Sequence, residues 1–417
     1  MMLIGPILLL LVLLGAPLFA IIAAGAFWNF YQAEIDLQAM AIEFYGIAEM
    51  PILLAIPLFT FAGYLLSESN APQRLVRLTS ALLGWMPAGL AIVSLVACAF
   101  FTAFTGASGV TIIALGAILF PAMQQAGYPE IFNLGLVTSA GSLGLLFAPS
   151  LPLILYGVVA EVPIENLFLA GLLPGFLMLL MLSAYSVWKN RAIRTPLGDF
   201  SWQEVRAALR ESMWEIPLPV VVLGGIYSGY FAISEAAAVT ALYVLIVDVV
   251  ILKEVSLRKL PAIIREAMIL VGGIMMILGV SRASTNFMID AGVPQQLLQW
   301  ISGFVTGEIA FMVMLLLFLL MLGAILDVFS AIVLVVPLIL PVATQFGVHP
   351  VHLGIVFLAT MQLGYITPPV GLNLFIAGYR FDRPIVNIYL STLPFFVFLM
   401  ISVVLIAFWP TLSLFLL

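Results

Sequence analysis

The chain has 417 residues, of which 64% are hydrophobic and 8% are charged, and its mean hydropathy is +1.24. A soluble chain of this length does not have such a composition, so an all-α, polytopic membrane protein is predicted. The net charge of −6 predicts little about partners, because in a membrane protein the placement of Lys and Arg matters more than their sum. The single cysteine, Cys98, excludes an intrachain disulfide and a thiol metal cluster.

The first crossing is predicted over residues 3–24. It is interpreted as a retained helix, because no Lys or Arg precedes it and because it is long enough to span a bilayer. Residues 27–50 contain four acidic residues and no Lys or Arg, so we expect them outside the cytoplasm. A second crossing over residues 51–66 leads to Arg74 and Arg77, which belong inside.

The next two apolar stretches are both interrupted. Residues 90–125 break at the small-residue cluster 105–109, which leaves two halves too short to span comfortably, and a re-entrant hairpin from the cytoplasm is predicted. The crossing over residues 131–159 breaks at Pro149 and Ser150. Backbone can leave a helix at membrane depth only where protein buries it or a cavity meets it, since lipid offers no hydrogen-bond partners. Both breaks are therefore candidate binding loops, and the open alternative is that Gly and Pro only permit close helix packing.

The remaining elements follow in chain order. After a crossing over 168–188 comes a loop that its basic residues mark as cytoplasmic: Lys189, Arg191, Arg194, Arg206 and Arg210. The amphipathic segment 201–214 is expected along the inner surface or, alternatively, as a solvated linker helix. Further crossings are predicted at 216–230, 236–252 and 266–280, then a second hairpin over 309–345, a crossing over 352–378 broken at 367–369, and a last span over 388–410.

An ungapped shift of 220 positions superposes five Gly or Pro residues, where chance would give roughly one. The pairs are Pro121 and Pro341, Gly127 and Gly347, Gly144 and Gly364, Pro149 and Pro369, and Pro174 and Pro394. A duplicated unit is predicted. An odd number of crossings separates the hairpins, so the copies are expected to be inverted, which is typical of secondary transporters. Every Lys and Arg except Arg282 then lies on one side, with the N-terminus cytoplasmic and the C-terminus periplasmic.

This layout predicts four regions. They are scaffold helices and an arm (1–88), a first repeat core (89–188), a cytoplasmic loop with central scaffold helices (189–307), and a second repeat core (308–417).

Hydroxyl side chains gather at the predicted tips and breaks. Together with the free carbonyls of broken helices they suit Na⁺, while the exposed amide ends of half-helices favour a carboxylate. The substrate-binding residues predicted in this way are Thr105, Ser108, Ser150 and Asn373. The predicted sodium ligands are Gly106, Ser108, Thr111, Pro149, Asp327, Ser330, Thr367 and Gly371.

Asp327 lies in a long apolar run at the second tip, facing Thr367 and Asn373 in the prediction. An ionised carboxylate is costly at membrane depth, so it should meet a cation or a cavity. The alternative is a protonated Asp327 that caps the hairpin tip.

Other polar residues favour structural roles. Glu235 is expected to cap a helix, and Arg282 to lie at an external helix end, where it snorkels or contacts substrate. His349 and His352 have a metal-like spacing but lie in a proline-containing turn without a third ligand nearby. No nucleotide-binding loop, nucleophile elbow or zinc-protease motif occurs, and nothing indicates a nucleic-acid partner.

Five motifs carry a family resemblance that covers almost the whole chain. They read LLAIPLFTFAG, FFTAFTGASGVTIIALG, APSLPLILYG, GGIYSGYFAISEAAAV and GYITPPVGLNLF. With them the chain resembles the large, DctM-type membrane subunit of tripartite ATP-independent periplasmic (TRAP) transporters. The resemblance implies a sodium-driven, elevator-type importer in the bacterial inner membrane. It also implies two partners, a small four-helix membrane subunit and a periplasmic binding protein that delivers organic acids.

Three departures from the family pattern stand out. The usual Gly-Ser-Ser tip reads Gly106-Ala107-Ser108, Ala148 replaces the first proline of a double proline, and the GxDP turn carries His349 in place of its Asp. The first departure removes one hydroxyl, but backbone carbonyls could still coordinate sodium. Two other functions stay open: a stand-alone sodium-coupled carboxylate transporter of the same plan, and an intramembrane enzyme using both histidines. For the enzyme alternative, the sequence offers no base, no nucleophile and no full set of metal ligands.

Overall fold

The computed structural model describes residues 7–8, 10–11, 14–191, 200–305 and 307–417. Across these ranges the chain forms helices and turns and no strand, so the predicted all-α class is confirmed. Arg194 and the start of the predicted first crossing lie outside the described residues.

The helices of the first half run up to the basic loop. They are α1 (Leu18–Gln32), α2 (Gln38–Ala48), α3 (Ala55–Glu68), α4 (Ala71–Leu83), α5 (Gly89–Thr105), α6 (Ser108–Ala114), α7 (Gly116–Gln125), α8 (Glu130–Ala140), α9 (Leu151–Ala160) and α10 (Ile164–Asn190). Short 3-10 turns precede α3 at Pro51–Leu54 and follow α8 at Leu143–Leu146.

The second half continues this numbering. Its helices are α11 (Trp202–Glu211), α12 (Pro217–Tyr227), α13 (Ile233–Leu245), α14 (Leu260–Asp290), α15 (Val293–Ser302), α16 (Glu308–Gly323), α17 (Val328–Gln345), α18 (Pro350–Gly364), α19 (Leu372–Phe381), α20 (Ile385–Phe408) and α21 (Thr411–Leu414). A π-helical turn, Ile246–Ile251, extends α13.

Many of these helices can cross a bilayer. Among the described residues, six are long and apolar enough, or up to eight spans when each of two bent helix pairs counts as one. One bent pair is α6 with α7, at 46°, and the other joins Glu130–Leu146 to α9, at 43°. The protein is therefore a multi-pass membrane protein.

The order of elements in the first half returns in the second half. The starts of α5, α6, α8, α9 and α10 are followed, 219 to 221 positions later, by the starts of α16, α17, α18, α19 and α20. The helices thus keep the spacing of the matched Gly and Pro residues. The packing also corresponds, because α9 lies against α17 of the second hairpin, and α19 lies against α6 of the first hairpin.

Two glycines at equivalent positions let backbones touch. A Cβ on Gly144 would lie 2.2 Å from the carbonyl oxygen of Ala99 in α5. A Cβ on Gly364 would lie 2.5 Å from the carbonyl carbon of Gly323 in α16. Small residues allow this approach between membrane helices, so each broken span is held directly against the first arm of its own hairpin.

The structure corrects the predicted start of the chain. Helix α1 runs to Gln32, beyond the predicted end of the first crossing at residue 24, and α2 makes much of the acidic segment helical. Both helices lie against α14, where Phe30 and Met40 are buried with Val280 and Ala283. This buried face depends on a partner more than 200 residues away in sequence, which a local hydrophobic pattern cannot show.

Two other predictions near α14 were wrong. Arg282 lies inside this helix and not at its end, and it pairs with Glu43 of α2 at 3.2 Å. The crossing predicted at 266–280 is also longer than expected, because α14 runs from Leu260 to Asp290.

The amphipathic segment forms α11, which is docked on α4. Ser201 caps its first turn by accepting from the Glu204 amide at 3.4 Å. Glu204 and Glu211 both pair with Arg77 of α4, and these ion pairs are exposed. Helix α11 is thus bound to another helix of the chain.

The glycine contacts generate a stability prediction. Gly364→Ala and Gly144→Ala should each lower the free energy of unfolding by about 1–3 kcal/mol, because a backbone segment must move to admit the methyl group. Gly272→Ala in α14 is the matched control, since a Cβ there meets nothing within 4 Å. Thermal unfolding in detergent measures this difference. Equal midpoints for Gly364→Ala and Gly272→Ala would contradict the proposed backbone contact.

Candidate functional site

The first hairpin turns where the sequence predicts. Helix α5 ends at Thr105, Gly106 adopts a left-handed conformation with φ of +65°, and α6 begins at Ser108. A Cβ on Gly106 would lie 2.5 Å from the side chain of Leu151 in α9. Thr105 is fully buried and its hydroxyl has no hydrogen-bond partner, so one polar oxygen at this tip is left unpaired.

Thr111 belongs to a short hydroxyl chain behind the tip. Its Oγ1 lies 2.7 Å from Oγ1 of Thr102, and Thr102 donates to the Gly141 carbonyl at 2.9 Å. A hydroxyl has one proton, so Thr111 must donate to Thr102 and keeps its lone pairs. Thr111 can therefore offer a cation an oxygen, while Thr102, which sequence reasoning missed, orients it.

The first broken span opens between Leu146 and Leu151. The Ala148–Pro149 peptide bond is cis, and Ser150 sits at the start of α9 without making a side-chain cap. Ser150 is fully buried and its Oγ has no partner. A second unpaired hydroxyl thus lies on the element that packs against the first hairpin.

Asp327 caps the second hairpin tip. Its Oδ1 accepts hydrogen bonds from the amides of Phe329 and Ser330, both at 3.0 Å, and its Oδ2 accepts from Oγ of Ser330 at 2.5 Å. The capping alternative is therefore confirmed in geometry. Two backbone amides and one hydroxyl thus hold the Asp327 carboxyl at the start of α17.

Two hydrogen bonds donated by backbone amides join the second break to the second tip. The Gly371 amide donates to the Ala324 carbonyl at 3.0 Å, and the Val328 amide donates to the hydroxyl of Tyr365 at 2.7 Å. Gly371 is left-handed, with φ of +59°. The Thr367 hydroxyl donates to the carbonyl of Leu363 at 2.9 Å and keeps its lone pairs.

The sequence predicted that the side chain of Asn373 faces Asp327, and this prediction was wrong. Its Nδ2 donates to the Thr138 carbonyl at 3.2 Å and to Oγ of Ser142 at 3.3 Å, both in the first half of the chain. Its Oδ1 is buried without a partner. Because α19 crosses to the first half, Asn373 joins the first broken span.

Sequence reasoning missed two further polar residues. Ser139 in α8 and Gln362 in α18 are fully buried, and the hydroxyl of Ser139 and both amide atoms of Gln362 have no partner. The 220-residue shift places Gln362 on Ser142, which contacts Asn373. A polar residue inside an otherwise apolar broken span was the signal that could have found both.

The remaining candidates have structural contacts. Oε2 of Glu235 accepts from the Ala232 amide at 2.9 Å, which confirms its capping role. His349 caps α18, and His352 contacts Oγ of Ser413 and the carbonyl of Ala407, each at 3.2 Å. No group of three His, Cys, Asp or Glu residues that could hold a metal occurs in the described part of the chain.

The arrangement favours reversible binding over covalent chemistry. Two re-entrant tips meet two broken spans, and these elements carry buried hydroxyl and amide oxygens without hydrogen-bond partners. Hard oxygen atoms at helix breaks are ligands for small ions and polar solutes. Fold and site together define a multi-pass membrane transport permease.

Comparison with known proteins identifies the family. Residues 6–412 match the model of the tripartite ATP-independent periplasmic transporter, DctM component, so the chain belongs to this family. The resemblance stated from the motifs is confirmed.

Three curated relatives are similar over most of this chain. The isethionate TRAP transporter permease protein DctMQ of Oleidesulfovibrio alaskensis is 35% identical over 393 residues, which cover 94% of this chain and 60% of that protein. The C4-dicarboxylate TRAP transporter large permease protein DctM of Pseudomonas aeruginosa is 32% identical, covering 91% and 89%. The ectoine/5-hydroxyectoine TRAP transporter large permease protein UehC of Ruegeria pomeroyi is 32% identical, covering 98% and 96%.

The relatives are transporter permeases, and this chain is a permease subunit and not an enzyme. Among solved structures, the Alcanivorax borkumensis YdaH transporter has a similar fold, with a TM-score of 0.59 at 14% identity. The match covers 89% of this chain and 87% of that one.

The cap at the second tip can be tested apart from transport. Asp327→Ala removes the oxygen that accepts from the Phe329 and Ser330 amides, so it should lower the free energy of unfolding by about 1–2 kcal/mol. Asp327→Asn keeps one acceptor oxygen, and its free energy of unfolding should stay close to the wild-type value. Thermal unfolding of the purified chain gives both numbers. If Asn and Ala destabilise equally, the cap contributes through its charge and not through the geometry described above.

Proposed function

We propose that this chain is the permease subunit of a sodium-coupled secondary transporter that imports a small organic acid delivered by a periplasmic binding protein. One observation carries the proposal: buried side-chain oxygens at the tips and breaks lack hydrogen-bond partners, at Thr105, Ser150, Asn373, Ser139 and Gln362. A buried polar group without a partner costs about 1–3 kcal/mol. Several such groups lie on elements that pack together, and a bound ligand that supplies their missing hydrogen-bond or coordination partners explains them best.

Sodium is the ion that these groups favour. Hydroxyl, amide and carbonyl oxygens are hard ligands, and Asp327 is the only Asp, Glu or His between residues 105 and 111 or between 324 and 330. A proton-driven transporter needs titratable relays at membrane depth. The proposed ligands are Gly106, Ser108, Thr111, Pro149, Asp327, Ser330, Thr367 and Gly371, as the sequence predicted.

A carboxylate is the substrate class that the same elements favour. Helices α9 and α19 begin at the two breaks, where their first amides carry partial positive charge. Unpartnered atoms of Ser150 and Asn373 lie at these helix starts and can contact a polar substrate, together with Thr105 and Ser108. The name of one relative refers to C4-dicarboxylates, which are small carboxylates, and this supports the class.

Family membership supports the partnered system over a stand-alone carboxylate transporter. The proposed partners are a small four-helix membrane subunit and a periplasmic binding protein, in the bacterial inner membrane. We infer a cytoplasmic N-terminus and a periplasmic C-terminus from the Lys and Arg distribution. Regions 89–188 and 308–417 are proposed to be inverted repeats that move as an elevator against the scaffold regions 1–88 and 189–307.

Uptake measurements test the energy source. The chain, reconstituted in liposomes with its two proposed partners and screened against organic acids, should take up substrate only with an inward sodium gradient and without ATP. Uptake in sodium-free buffer under a pH gradient alone would contradict sodium coupling.

The two hairpin tips differ in charge, which generates a quantitative prediction. The 220-residue shift places Ala107 on Asp327, so only the second tip carries a carboxylate. Asp327→Asn should raise the sodium concentration needed for half-maximal uptake at least about tenfold, equivalent to roughly 1.4 kcal/mol. Ala107→Ser restores a hydroxyl and should lower the requirement or leave it unchanged. If a folded Asp327→Asn variant shows the sodium dependence of the wild type, Asp327 does not bind sodium and serves only as a helix cap.

The unpaired hydroxyls predict that their removal lowers transport without lowering stability. Thr105→Val and Ser150→Ala remove buried oxygens that bond to nothing, so the unfolding midpoint should stay the same or rise. Uptake should fall about tenfold or more if these oxygens bind sodium or substrate. Thr60→Val is the matched control, because this buried Thr only donates to the Ile56 carbonyl of its own helix, at 2.6 Å. Full uptake by both site variants would remove them from the proposed site.

A further inference from the structure

A second polar cluster is buried away from the hairpin tips. It consists of Arg74 in α4, Glu215 before α12, Asp248 in the π-helical turn after α13, and Glu254 beyond that turn. We call these four residues the Arg74 cluster. Arg74 is 7% exposed and Asp248 is 1% exposed, so the cluster is largely shielded from water.

The charge of Arg74 is already shared by two carboxylates. Its Nε donates to Oε1 of Glu215 at 2.7 Å, and its Nη2 donates to Oε2 of Glu254 at 3.1 Å. Its Nη1 also pairs with Oε1 of Glu254. Burial acts to raise the pKa of Glu254, but the hydrogen bonds from Arg74 and from the Asn70 amide outweigh it and hold that pKa below its usual value. Glu254 is therefore charged at neutral pH.

The Asp248 carboxylate makes no hydrogen bond in the structure. Both of its carboxylate oxygens are buried without a partner. Ser69 lies beside it, but the Ser69 hydroxyl already donates its single proton to the Leu66 carbonyl at 2.9 Å. Tyr243, on the same helix, donates its proton to the Trp214 carbonyl at 2.8 Å.

The elements packed against Asp248 add no further positive charge. The charged groups that face it are Arg74, Glu215 and Glu254. Helix α3, which packs on α13, has one charged residue, Glu68, and its side chain is exposed, while α12 has none. One cation thus faces three carboxylates, and an ionised Asp248 would be an unpaired charge in a buried setting, which is strongly unfavourable.

We propose that Asp248 is a proton-binding site, protonated in the folded protein at neutral pH, at the contact between the scaffold and the first hairpin. A proton neutralises one carboxylate oxygen and needs no further ligands. A sodium ion would need several oxygens, whereas the cluster leaves only three unpartnered, two on Asp248 and Oε2 of Glu215, and Arg74 would repel it.

A small cavity lies between Glu215 of the Arg74 cluster and the first hairpin. Its volume is about 30 Å³, and Glu215 lines it together with Phe100, Phe101 and Phe104 of α5. Helix α5 ends in the Thr105 tip. If the hairpin moves against the scaffold, as the proposed function requires, the hydration of the cluster changes, and by linkage the proton then biases the hairpin position.

Replacing the acid by its amide tests the proton directly. A folded protein that holds the Asp248 proton more tightly than the unfolded chain loses stability as pH rises above about 4, the usual range of Asp, until the folded protein also releases that proton. Asp248→Asn has no proton to lose. Its unfolding midpoint in detergent should exceed that of the wild type by about 2 °C or more at pH 8, and this excess should shrink toward pH 5.

The exposed carboxylate Asp382 supplies the control, since Asp382→Asn should shift the midpoint equally little at every pH. A difference between Asp248→Asn and wild type that is independent of pH, or a less stable variant at pH 8, would overturn the proposal. Infrared spectroscopy of the wild-type chain with ¹³C-labelled aspartate carboxyls gives a second readout, which does not require the variant to fold. The proposal expects a protonated carboxyl band at neutral pH, and its absence would refute it.

The link to transport rests on the proposed function and has its own readout. Uptake by Asp248→Asn should depend less than wild-type uptake on the pH of the face that carries the Arg74 cluster. An unchanged pH profile would overturn the coupling to the hairpin. If the wild type itself shows no uptake under any gradient, the proposed function fails, while the infrared and unfolding results still decide whether Asp248 holds a proton.

Discussion

The fold depends on closing broken helices without help from solvent. At membrane depth a free backbone amide or carbonyl finds no partner in lipid, so each break must be completed by protein. At the second break the Gly371 amide bonds to Ala324, and the Val328 amide bonds to Tyr365, so tip and break complete each other. The glycine contacts Gly144 with Ala99 and Gly364 with Gly323 bring the backbones close enough for this closure.

This closure satisfies the backbone and leaves side chains unpaired. Thr105, Ser150 and Asn373 lie where helices end, and their neighbours' hydrogen-bonding groups are used within helices or turns, so oxygens of these side chains stay free. A ligand that supplies the missing partners is then bound by a preformed site, with little reorganisation. Because the second tip has Asp327 and the first has only hydroxyls, the two sites can differ in their attraction for a cation.

Local signals located the breaks well. Small residues and prolines in apolar runs predicted both tips and both broken spans, and the 220-residue shift anticipated the repeated helix order. Sequence reasoning failed where contacts cross the chain: it missed the packing of α1 and α2 on α14, the interior position of Arg282, and the contact of Asn373 with Thr138. The Arg74 cluster was missed for the same reason, since Arg74 lies at least 141 residues from its carboxylates and each member alone resembles an interfacial charge.

Direct binding of sodium tests the central claim, that the closed breaks form ion sites. Equilibrium binding of radioactive sodium to the purified chain in detergent requires neither partners nor a known substrate. Saturable binding that choline does not displace, and that weakens when Thr111 is replaced by Val or Thr367 by Val, is the result expected from the described geometry. A chain that is folded by its unfolding transition but shows no saturable sodium binding would contradict the account.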